Sequence, residues 1–217
     1  MSEKRKLMII TILTVMIIAL SGIGAYYWFN NTYFVMTEDA KITGDLVKVS
    51  PQISAKLLEF NSDEGDLVIH DQILGRQEMG SLPESSIEQS VIRAPISGII
   101  IKKQCNIGEF VTNGQSLAMI VDPSKLYITA NIEETKLGKV HPGQKVDISI
   151  DQFEGVRFSG TVHFIGEASN STFSLLPTST GGTFTKVVQK IPVKIEFNTQ
   201  NIKLLPGTNS VVKIHIK

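Results

Sequence analysis

Cysteine and histidine are scarce in this chain, which has one cysteine and four histidines among 217 residues. A single cysteine, Cys105, excludes an intrachain disulfide and any zinc site that needs two thiolates. The histidines are not spaced as ligands on one helix face and have no cysteine or acid at metal-ligand spacing; they are His70, His141, His163 and His215. We therefore expect solvated or core histidines, and neither a metal nor a cofactor.

No excess of charge of one sign is present either, since 21 basic residues balance 21 acidic ones. Proteins that bind nucleic acids neutralise phosphates with a basic surface, so this balance argues against a nucleic-acid partner. Charged residues make up 19% of the chain, compared with about 25% in typical soluble domains. Apolar residues must therefore be concentrated in some part of the sequence.

Familiar catalytic arrangements are missing as well. Residues 114–118 resemble a nucleophile elbow around Ser116, but alanine stands where the second glycine belongs. Acidic residues cluster at Asp63, Glu64 and Asp66 without the spaced oxygen ligands of a calcium loop. Neither stretch predicts chemistry, so we expect a protein that is not an enzyme.

The charge-free run near the start of the chain predicts a membrane anchor. No Asp, Glu, Lys or Arg occurs from Leu7 to Thr37, and residues 7–29 are almost wholly apolar. As a helix they would be roughly 35 Å long, enough to cross a hydrocarbon core of about 30 Å. The run is longer than the apolar part of a secretory signal, so cleavage is the less favoured alternative. We predict a retained transmembrane helix over residues 7–29.

The flanks of this run predict its orientation. Lys4, Arg5 and Lys6 precede it, and four aromatic residues at 26–29 end it. Positive charges favour the cytoplasmic side, and aromatic side chains favour the membrane interface. We expect a single-pass protein of the plasma (inner) membrane with a cytoplasmic tail over residues 1–6. Outside, a linker and first strand over residues 30–46 would lead into extracytoplasmic domains.

Two small residues within the run, Ser21 and Ala25, are four positions apart and would share one helix face. Small residues allow another membrane helix to approach closely, so this face is a candidate contact with a membrane partner. The alternative is that both residues face lipid.

Beyond residue 46 the sequence repeats at a constant offset of 43 residues, and residues 49–74 align with residues 92–117 without gaps. Six pairs are identical: Ile53 and Ile96, Ser54 and Ser97, Gly65 and Gly108, Val68 and Val111, Gln72 and Gln115, and Leu74 and Leu117. A unit of about 26 residues cannot bury a core by itself, so the two copies should pair into one sandwich. We predict a domain over residues 47–121, with halves at 47–76 and 91–121 joined by a short loop at 77–90.

The remaining residues, 122–217, alternate between apolar and polar side chains at 145–151, 190–197 and 211–217. This period of two predicts half-buried strands, so we expect a small closed or nearly closed β-barrel over residues 122–217. Pro192 cannot donate to a sheet, which places its strand at an edge or a bulge. Structural turns are expected at four glycines: Gly65, Gly98, Gly108 and Gly143.

A polar, glycine-rich stretch at residues 166–185 interrupts the barrel and contains a short apolar group: Phe173, Leu175, Leu176 and Pro177. Apolar residues in an exposed loop often mark an interface, so this group is a second candidate contact. The alternative, that it folds back over one barrel end, stays open.

The two halves also carry motifs of a known family. Ala94-Pro95-Ile96-Ser97-Gly98 opens the second half, and glycine, an acid, one further residue and valine close both. These motifs resemble the biotinyl/lipoyl half-motifs of HlyD-like membrane fusion proteins. Two further stretches are similar to the first strand and the barrel segment of the EmrA branch: Thr37-Glu38-Asp39-Ala40, and residues 173–177 followed by Lys186–Val193. The resemblance covers almost the whole chain.

True carrier domains have similar half-motifs and attach biotin or lipoate to a lysine between the halves. No lysine lies between Lys56 and Lys102, which argues against a carrier. Many HlyD-like proteins instead insert a long helical hairpin there. The 14 residues at 77–90, with Gly80 and Pro83, cannot form two useful antiparallel helices. The protein would therefore serve a cell without an outer membrane, or, as the less favoured alternative, another subunit would provide the bridge.

The residues and the resemblance together predict a mainly β fold: a transmembrane helix, a lipoyl-like (barrel-sandwich hybrid) domain and a small β-barrel. The resemblance implies an adaptor that docks on a polytopic exporter, foremost a major facilitator drug antiporter, and supports efflux of drugs or other small molecules. It leaves homo-oligomerisation open. Two alternatives remain: an adaptor of an ABC-type peptide exporter, and an envelope-binding or sensing module that needs no transporter.

Overall fold

The structure is a computed structural model that describes residues 3–79, 84–169, 188–197 and 204–217. It begins with a long helix, α1 (Glu3–Tyr33), and continues mainly as β-strands. A short helix, α2 (Glu134–Leu137), and two 3₁₀ helices, Glu84–Ser90 and Pro123–Lys125, connect strands within these ranges. The predicted fold class is confirmed.

The strands of the described ranges are, in chain order, β1 (Phe34–Thr43), β2 (Leu46–Val49), β3 (Ala55–Phe60), β4 (Leu67–Val68), β5 (Ile73–Gln77), β6 (Val91–Arg93), β7 (Gly98–Lys103), β8 (Phe110–Val111), β9 (Ala118–Val121), β10 (Tyr127–Glu133), β11 (Lys145–Ile150), β12 (Arg157–Ile165), β13 (Lys190–Phe197) and β14 (Asn209–His215).

Six of these strands close into a barrel, in the order β1, β10, β13, β12, β11 and β14. Alternate side chains point inward, because successive residues of a strand face opposite sides of the sheet. In β11, Val146, Ile148 and Ile150 are at most 1% exposed, while the residues between them face outward. The predicted small barrel is thus confirmed, and it is closed around aliphatic side chains.

The first strand of the barrel, β1, lies within residues 30–46, for which the sequence predicted a linker and a first strand. β1 follows α1 directly and pairs with β14, so that Phe34 lies opposite His215. Residues 30–33 are helical, and α1 therefore extends beyond the predicted end at residue 29. The point at which α1 ends and β1 begins depends on pairing with the distant strand β14. The uncharged sequence around residue 30 contains no local pattern that marks this point.

Two four-stranded sheets form the sandwich, in the orders β2-β9-β7-β4 and β6-β5-β3-β8. Each sheet has two strands from the first half of the repeat and two from the second, so the halves exchange strands. Their common core is fully buried and includes Leu57, Leu74, Ile100, Leu117 and Ile120, each 0% exposed. Because this core is shared, the predicted pairing of the halves into one sandwich is confirmed.

The described residues divide into two compact units. The barrel unit contains residues 3–41, 128–169, 188–197 and 208–217, and the sandwich unit contains residues 42–127 and 204–207. Residues 122–127 and 204–207, expected in the barrel domain, therefore group with the sandwich. Contacts explain this grouping: Leu126 packs against the backbone of Gly44, and the N–H of Gly207 donates to the Ile42 carbonyl at 2.8 Å.

Three local expectations change with the structure. Gln77, expected in the connecting loop, ends β5, and the second part of that connection is the 3₁₀ helix Glu84–Ser90. Pro192 is not at an edge, since β13 has a neighbour on both sides. The register shift in β12 between Val162 and Phe164 lies opposite Lys194 and Ile195, so it does not place a bulge at Pro192. Gly98 begins β7 and is not in a turn.

Close approach of two strands explains the glycine at position 98. A Cβ at this position would lie 2.2 Å from the carbonyl oxygen of Val121, so no larger residue fits without movement. The other three glycines expected at turns have positive φ angles: 95° at Gly65, 89° at Gly108 and 86° at Gly143.

Candidate partner-binding surfaces

Helix α1 presents a large apolar surface. Residues Thr11–Tyr33 are long and apolar enough to cross a membrane, and none of this span is buried within the structure. The side chains of Tyr26, Tyr27 and Trp28 are 65–70% exposed. Removal of so much apolar surface from water is favourable, whether the helix enters lipid or packs against another helix. Ser21 and Ala25 are exposed on one face of this helix, as their spacing predicts.

The end of α1 is fixed to the barrel by contacts of its last residues. The N–H of Ile216 donates to the Tyr33 carbonyl at 3.0 Å. The rings of Phe29 and Tyr33 lie 4.6 Å apart, and the ring of Phe34 lies 6.1 Å from that of Phe29. The helix thus passes into β1 without an intervening loop.

A partly exposed hydrogen-bond network joins β1 to β10 and β13. Asp39 accepts a hydrogen bond from Lys190 Nζ at 2.7 Å and one from Asn131 Nδ2 at 3.0 Å. The Thr37 hydroxyl donates to the Asn131 carbonyl at 3.1 Å. The hydrogen bonds from Lys190 and Asn131 hold the pKa of Asp39 below its usual value, although partial burial opposes them.

This network connects the two motifs that carry the resemblance to the EmrA branch. Asp39 belongs to Thr37-Glu38-Asp39-Ala40, and Lys190 belongs to the segment Lys186–Val193. Sequence reasoning quoted both motifs but did not predict that they meet, because 151 positions separate the two residues. The opposite charges of Asp39 and Lys190 were the one sequence feature that suggested a contact between the two motifs, and it is a weak one.

An open groove of about 550 Å³ lies on the outer face of the barrel. His215 Nε2 lies 2.8 Å from Asp147 Oδ2 at this groove, and Glu196, which also lines it, lies 3.3 Å from His163 Nδ1. No cluster of three or more His, Cys, Asp or Glu that could hold a metal occurs within the described ranges. The groove offers polar contacts to a partner.

Arg93 organises the junction between the two halves of the sandwich. Its guanidinium lies 2.7 Å from Glu88 Oε1, and Nη1 donates to the Asp71 carbonyl oxygen at 3.0 Å. The 3₁₀ helix before β6 is thereby tied to a turn of the first half. Where a carrier domain needs a lysine for its prosthetic group, this connection has none.

The predicted contact residues Phe173, Leu175, Leu176 and Pro177 lie outside the described residues. The described residues that flank them are placed: Gly166 N donates to the Pro192 carbonyl at 2.8 Å, and Glu134 N donates to the Gln189 carbonyl at 2.9 Å. The second flank therefore lies beside the start of α2, and the first flank lies beside β13. Four lysines lie around the end of α1, and sequence reasoning did not single them out: Lys136, Lys139, Lys213 and Lys217.

Comparison with known proteins covers both units. A family model described as "RND MFP, barrel-sandwich hybrid domain" matches residues 45–123, and one described as "YknX-like beta-barrel domain" matches residues 126–214. The "Putative efflux system component YhbJ" of Bacillus subtilis (strain 168) is 35% identical over 202 residues, which are 92% of this chain and 88% of that protein.

Other relatives are longer than this chain. The "Multidrug export protein EmrA" of Haemophilus influenzae is 30% identical over 136 residues, or 60% of this chain and 35% of that protein. Its namesake in Escherichia coli (strain K12) is 24% identical over 85% of this chain and 50% of that protein. The matched residues thus span about a third to a half of these proteins.

Solved structures share the fold. The "periplasmic adaptor protein EmrA" superposes with a TM-score of 0.58 at 16% identity, covering 84% of this chain and 98% of that chain. The "membrane fusion protein Spr0693" from Streptococcus pneumoniae R6 superposes with a TM-score of 0.61 at 13% identity, covering 85% of this chain and 99% of that chain.

Proposed function

The chain belongs to the membrane fusion protein family of efflux adaptors, and on this premise we propose that it docks on a polytopic exporter of the major facilitator type and supports export of drugs or other small molecules. The observation that carries the proposal is the exposed apolar helix α1, which is joined without a linker to a closed barrel. Such a helix can both anchor the protein and contact membrane helices of an exporter.

The proposed topology is single-pass. Residues 1–6 face the cytoplasm, α1 crosses the plasma membrane, and the barrel and sandwich lie outside. The basic residues Lys4, Arg5 and Lys6 before the apolar run and the aromatic residues at its other end support this orientation. A protease added to intact cells should then cleave the sandwich and barrel but not the N-terminal tail.

The adaptor supplies binding surface, and the exporter supplies energy through its ion gradient. The connection between the halves of the sandwich is short, so we infer that the protein acts at the outer face of the plasma membrane without its own reach to an outer-membrane channel. The proposed contacts are the face with Ser21 and Ala25 and the segment Phe173–Pro177. Homo-oligomerisation through the sandwich and barrel is part of the same proposal.

A photo-crosslinking amino acid in α1 tests this function. Full-length protein carrying the crosslinker at Ser21 or Ala25 is expressed in native membranes, irradiated and purified, and its adducts are identified by mass spectrometry. We expect adducts with a major facilitator exporter. The matched control is Ile23, which is 55% exposed and lies on the other side of the helix, about 200° away at 100° per residue.

Each outcome has a consequence. An ABC-type exporter in the adducts would replace the antiporter as partner. Equal crosslinking from Ile23 would contradict the proposed face. If no transporter is recovered and deletion of the gene leaves drug and peptide export unchanged, the protein is an envelope-binding or sensing module and not an efflux adaptor.

A further inference from the structure

Four lysines surround the point at which α1 passes into β1, and we call them the basic collar: Lys136, Lys139, Lys213 and Lys217. Contacts with the helix end place three of them. Lys139 Nζ lies 3.5 Å from the Asn31 carbonyl oxygen. Lys213 Nζ lies 3.7 Å from the ring centre of Phe34, and Lys217 Nζ lies 5.5 Å from that of Tyr33.

A pocket beside the helix end contains the fourth lysine. It has a volume of about 360 Å³, and Lys136 and Lys139 line it together with Tyr27, Asn30 and Phe34. Ammonium groups and aromatic rings thus border one cavity at the end of α1. This cavity is large enough for a small polar headgroup and opens beside an apolar helix.

Positive charge in the basic collar is only partly cancelled. Lys136 pairs with Glu133 at 2.9 Å. For the other three lysines, no carboxylate oxygen of the described residues lies within 4.0 Å of the ammonium nitrogen. Asp147 stands opposite Lys213 in the barrel, but its carboxylate contacts His215 at 2.8 Å. The surface therefore favours an anionic partner.

The depth of the basic collar follows from helix geometry and rests on the proposed membrane anchoring. Aromatic residues such as Trp28 and Phe29 favour the boundary of the hydrocarbon core. Tyr33 is four residues farther, roughly 6 Å along the helix axis. The polar layer on each side of a bilayer is about 5–7 Å thick. Because no linker separates α1 from β1, the collar lies at the level of the lipid headgroups.

We propose that the basic collar binds the phosphate groups of anionic phospholipids in the leaflet where α1 ends. Each ammonium group offers three donors and a compact charge. A lysine near an anionic membrane surface strengthens binding about fivefold. Since the same lysines contact the helix end, bound headgroups would fix the rotation of the barrel relative to the membrane.

The test uses full-length protein with vesicles of phosphatidylcholine alone and of phosphatidylcholine mixed with phosphatidylglycerol. Flotation reports membrane association, and native mass spectrometry of the solubilised protein counts the lipids that remain bound. The collar variant is K136Q/K139Q/K213Q/K217Q. The matched control removes four exposed lysines of the sandwich with the same change in charge: K48Q/K56Q/K102Q/K125Q.

We expect the wild-type protein and the control to retain phosphatidylglycerol preferentially. In the collar variant this preference should fall by up to about 600-fold, at about fivefold for each of the four lysines. High salt should reduce the preference in the same way, because exposed charges are screened. An unchanged preference in the collar variant, or an equal loss in the control, would overturn the proposal. If the fourfold variant does not fold, K139Q/K217Q changes the two exposed members of the collar and should lose a smaller part of the preference.

Two further outcomes separate this proposal from others. A collar variant that keeps its lipid preference but no longer co-purifies with an exporter assigns the collar to a protein partner and overturns lipid binding. Failure of the wild-type protein to float with phosphatidylcholine alone would instead contradict the membrane anchor. In that case, flotation with phosphatidylglycerol vesicles that depends on the collar lysines would still support lipid binding by the basic collar. Absence of such flotation would overturn lipid binding.

Discussion

The two halves of the sandwich share their hydrogen bonds as well as their sequence. In each half, a turn glycine donates its N–H to a carbonyl of the other half: Gly65 to Ile100 at 2.8 Å, and Gly108 to Leu57 at 2.7 Å. A serine hydroxyl of each half accepts a backbone N–H of the other: Ser97 from His70 at 2.8 Å, and Ser54 from Asn113 at 3.0 Å. These bonds correspond at the 43-residue offset of the repeat, so each half completes the other.

The halves differ at one turn inside the repeat. Gly114 has a φ angle of 79°, and the matching position of the first half is Asp71, with a φ angle of 68°. The Asp71 carbonyl accepts a hydrogen bond from Arg93, which also holds Glu88 in the 3₁₀ helix of the connection. The two halves thus share the backbone geometry of this turn, and only Asp71 is linked through Arg93 to the connection between the halves.

The largest expected effect concerns the shared core. Leu57 and Ile100 occupy matching positions and are both 0% exposed. Leu57→Ala and Ile100→Ala should each lower the free energy of unfolding of the sandwich by about 3 kcal/mol, because each leaves a cavity in the same core. Urea unfolding of the full chain in detergent, followed by hydrogen exchange across residues 46–121, measures both.

Leu58→Ala is the control for this pair, since Leu58 is adjacent but 52% exposed and should cost less than about 1 kcal/mol. If one core substitution is tolerated as well as the control while the other unfolds the sandwich, the halves do not contribute equally and the comparison fails.

A second difference between the halves is the residue at the start of the third strand of each sheet. Gly98 in the second half corresponds to Ala55 in the first. Gly98→Ala should destabilise the sandwich by about 2 kcal/mol, because the added Cβ meets the Val121 carbonyl oxygen at 2.2 Å. Ala55→Gly is the reciprocal exchange and should cost about 0.5–1 kcal/mol through backbone entropy alone. The same unfolding measurement distinguishes the two substitutions. Equal losses of stability would contradict the proposed crowding at Gly98.

The turn positions with positive φ provide a third, smaller effect. Gly114→Ala should cost about 1 kcal/mol, since an L-residue is strained at a φ angle of 79° although nothing lies within 4 Å of the added Cβ. Asp71→Gly places in the first half the residue that the second half uses. It removes an exposed contact with Arg93 and should change stability by less than about 0.5 kcal/mol. A large decrease in the free energy of unfolding in Asp71→Gly would show that the Asp71 side chain stabilises the turn.

The repeat explains which parts of the sandwich could be predicted from the sequence. Matching glycines and core residues such as Leu74 and Leu117 recur at a fixed offset, so their pairing was visible. The exchange of strands was not, because β4 and β8 have two residues each and show no periodicity. Gly98 follows a serine and resembles a turn, and the carbonyl that crowds it belongs to a distant strand.

Long-range contacts limited the prediction of the barrel and of the candidate surfaces. β1 pairs with β14 near the other end of the chain, and Asp39 of β1 contacts Lys190 of β13 across β10. Neither contact has a local pattern. The exposure of Ser21 and Ala25 agrees with their position in an apolar helix, but their role as a partner contact stays a prediction.

The smallest expected effect lies just after the second half, where Asp122 caps the 3₁₀ helix Pro123–Lys125. At the same offset of 43 residues the position after the first half is Met79, which is not a capping residue. Hydrogen bonds from the Ser124 hydroxyl and N–H lower the pKa of Asp122 from its ordinary value of 3.8, although burial opposes this. A carboxyl whose pKa is lower in the folded state stabilises the fold above its unfolded pKa, and this contribution disappears as the pH falls through the folded pKa. Asp122→Asn keeps a capping side chain and should cost less than about 1 kcal/mol at neutral pH. The cost should begin to fall as the pH drops below the unfolded pKa and should reach zero below the folded pKa. A cost that is constant with pH would show that the charge of Asp122 contributes nothing to stability.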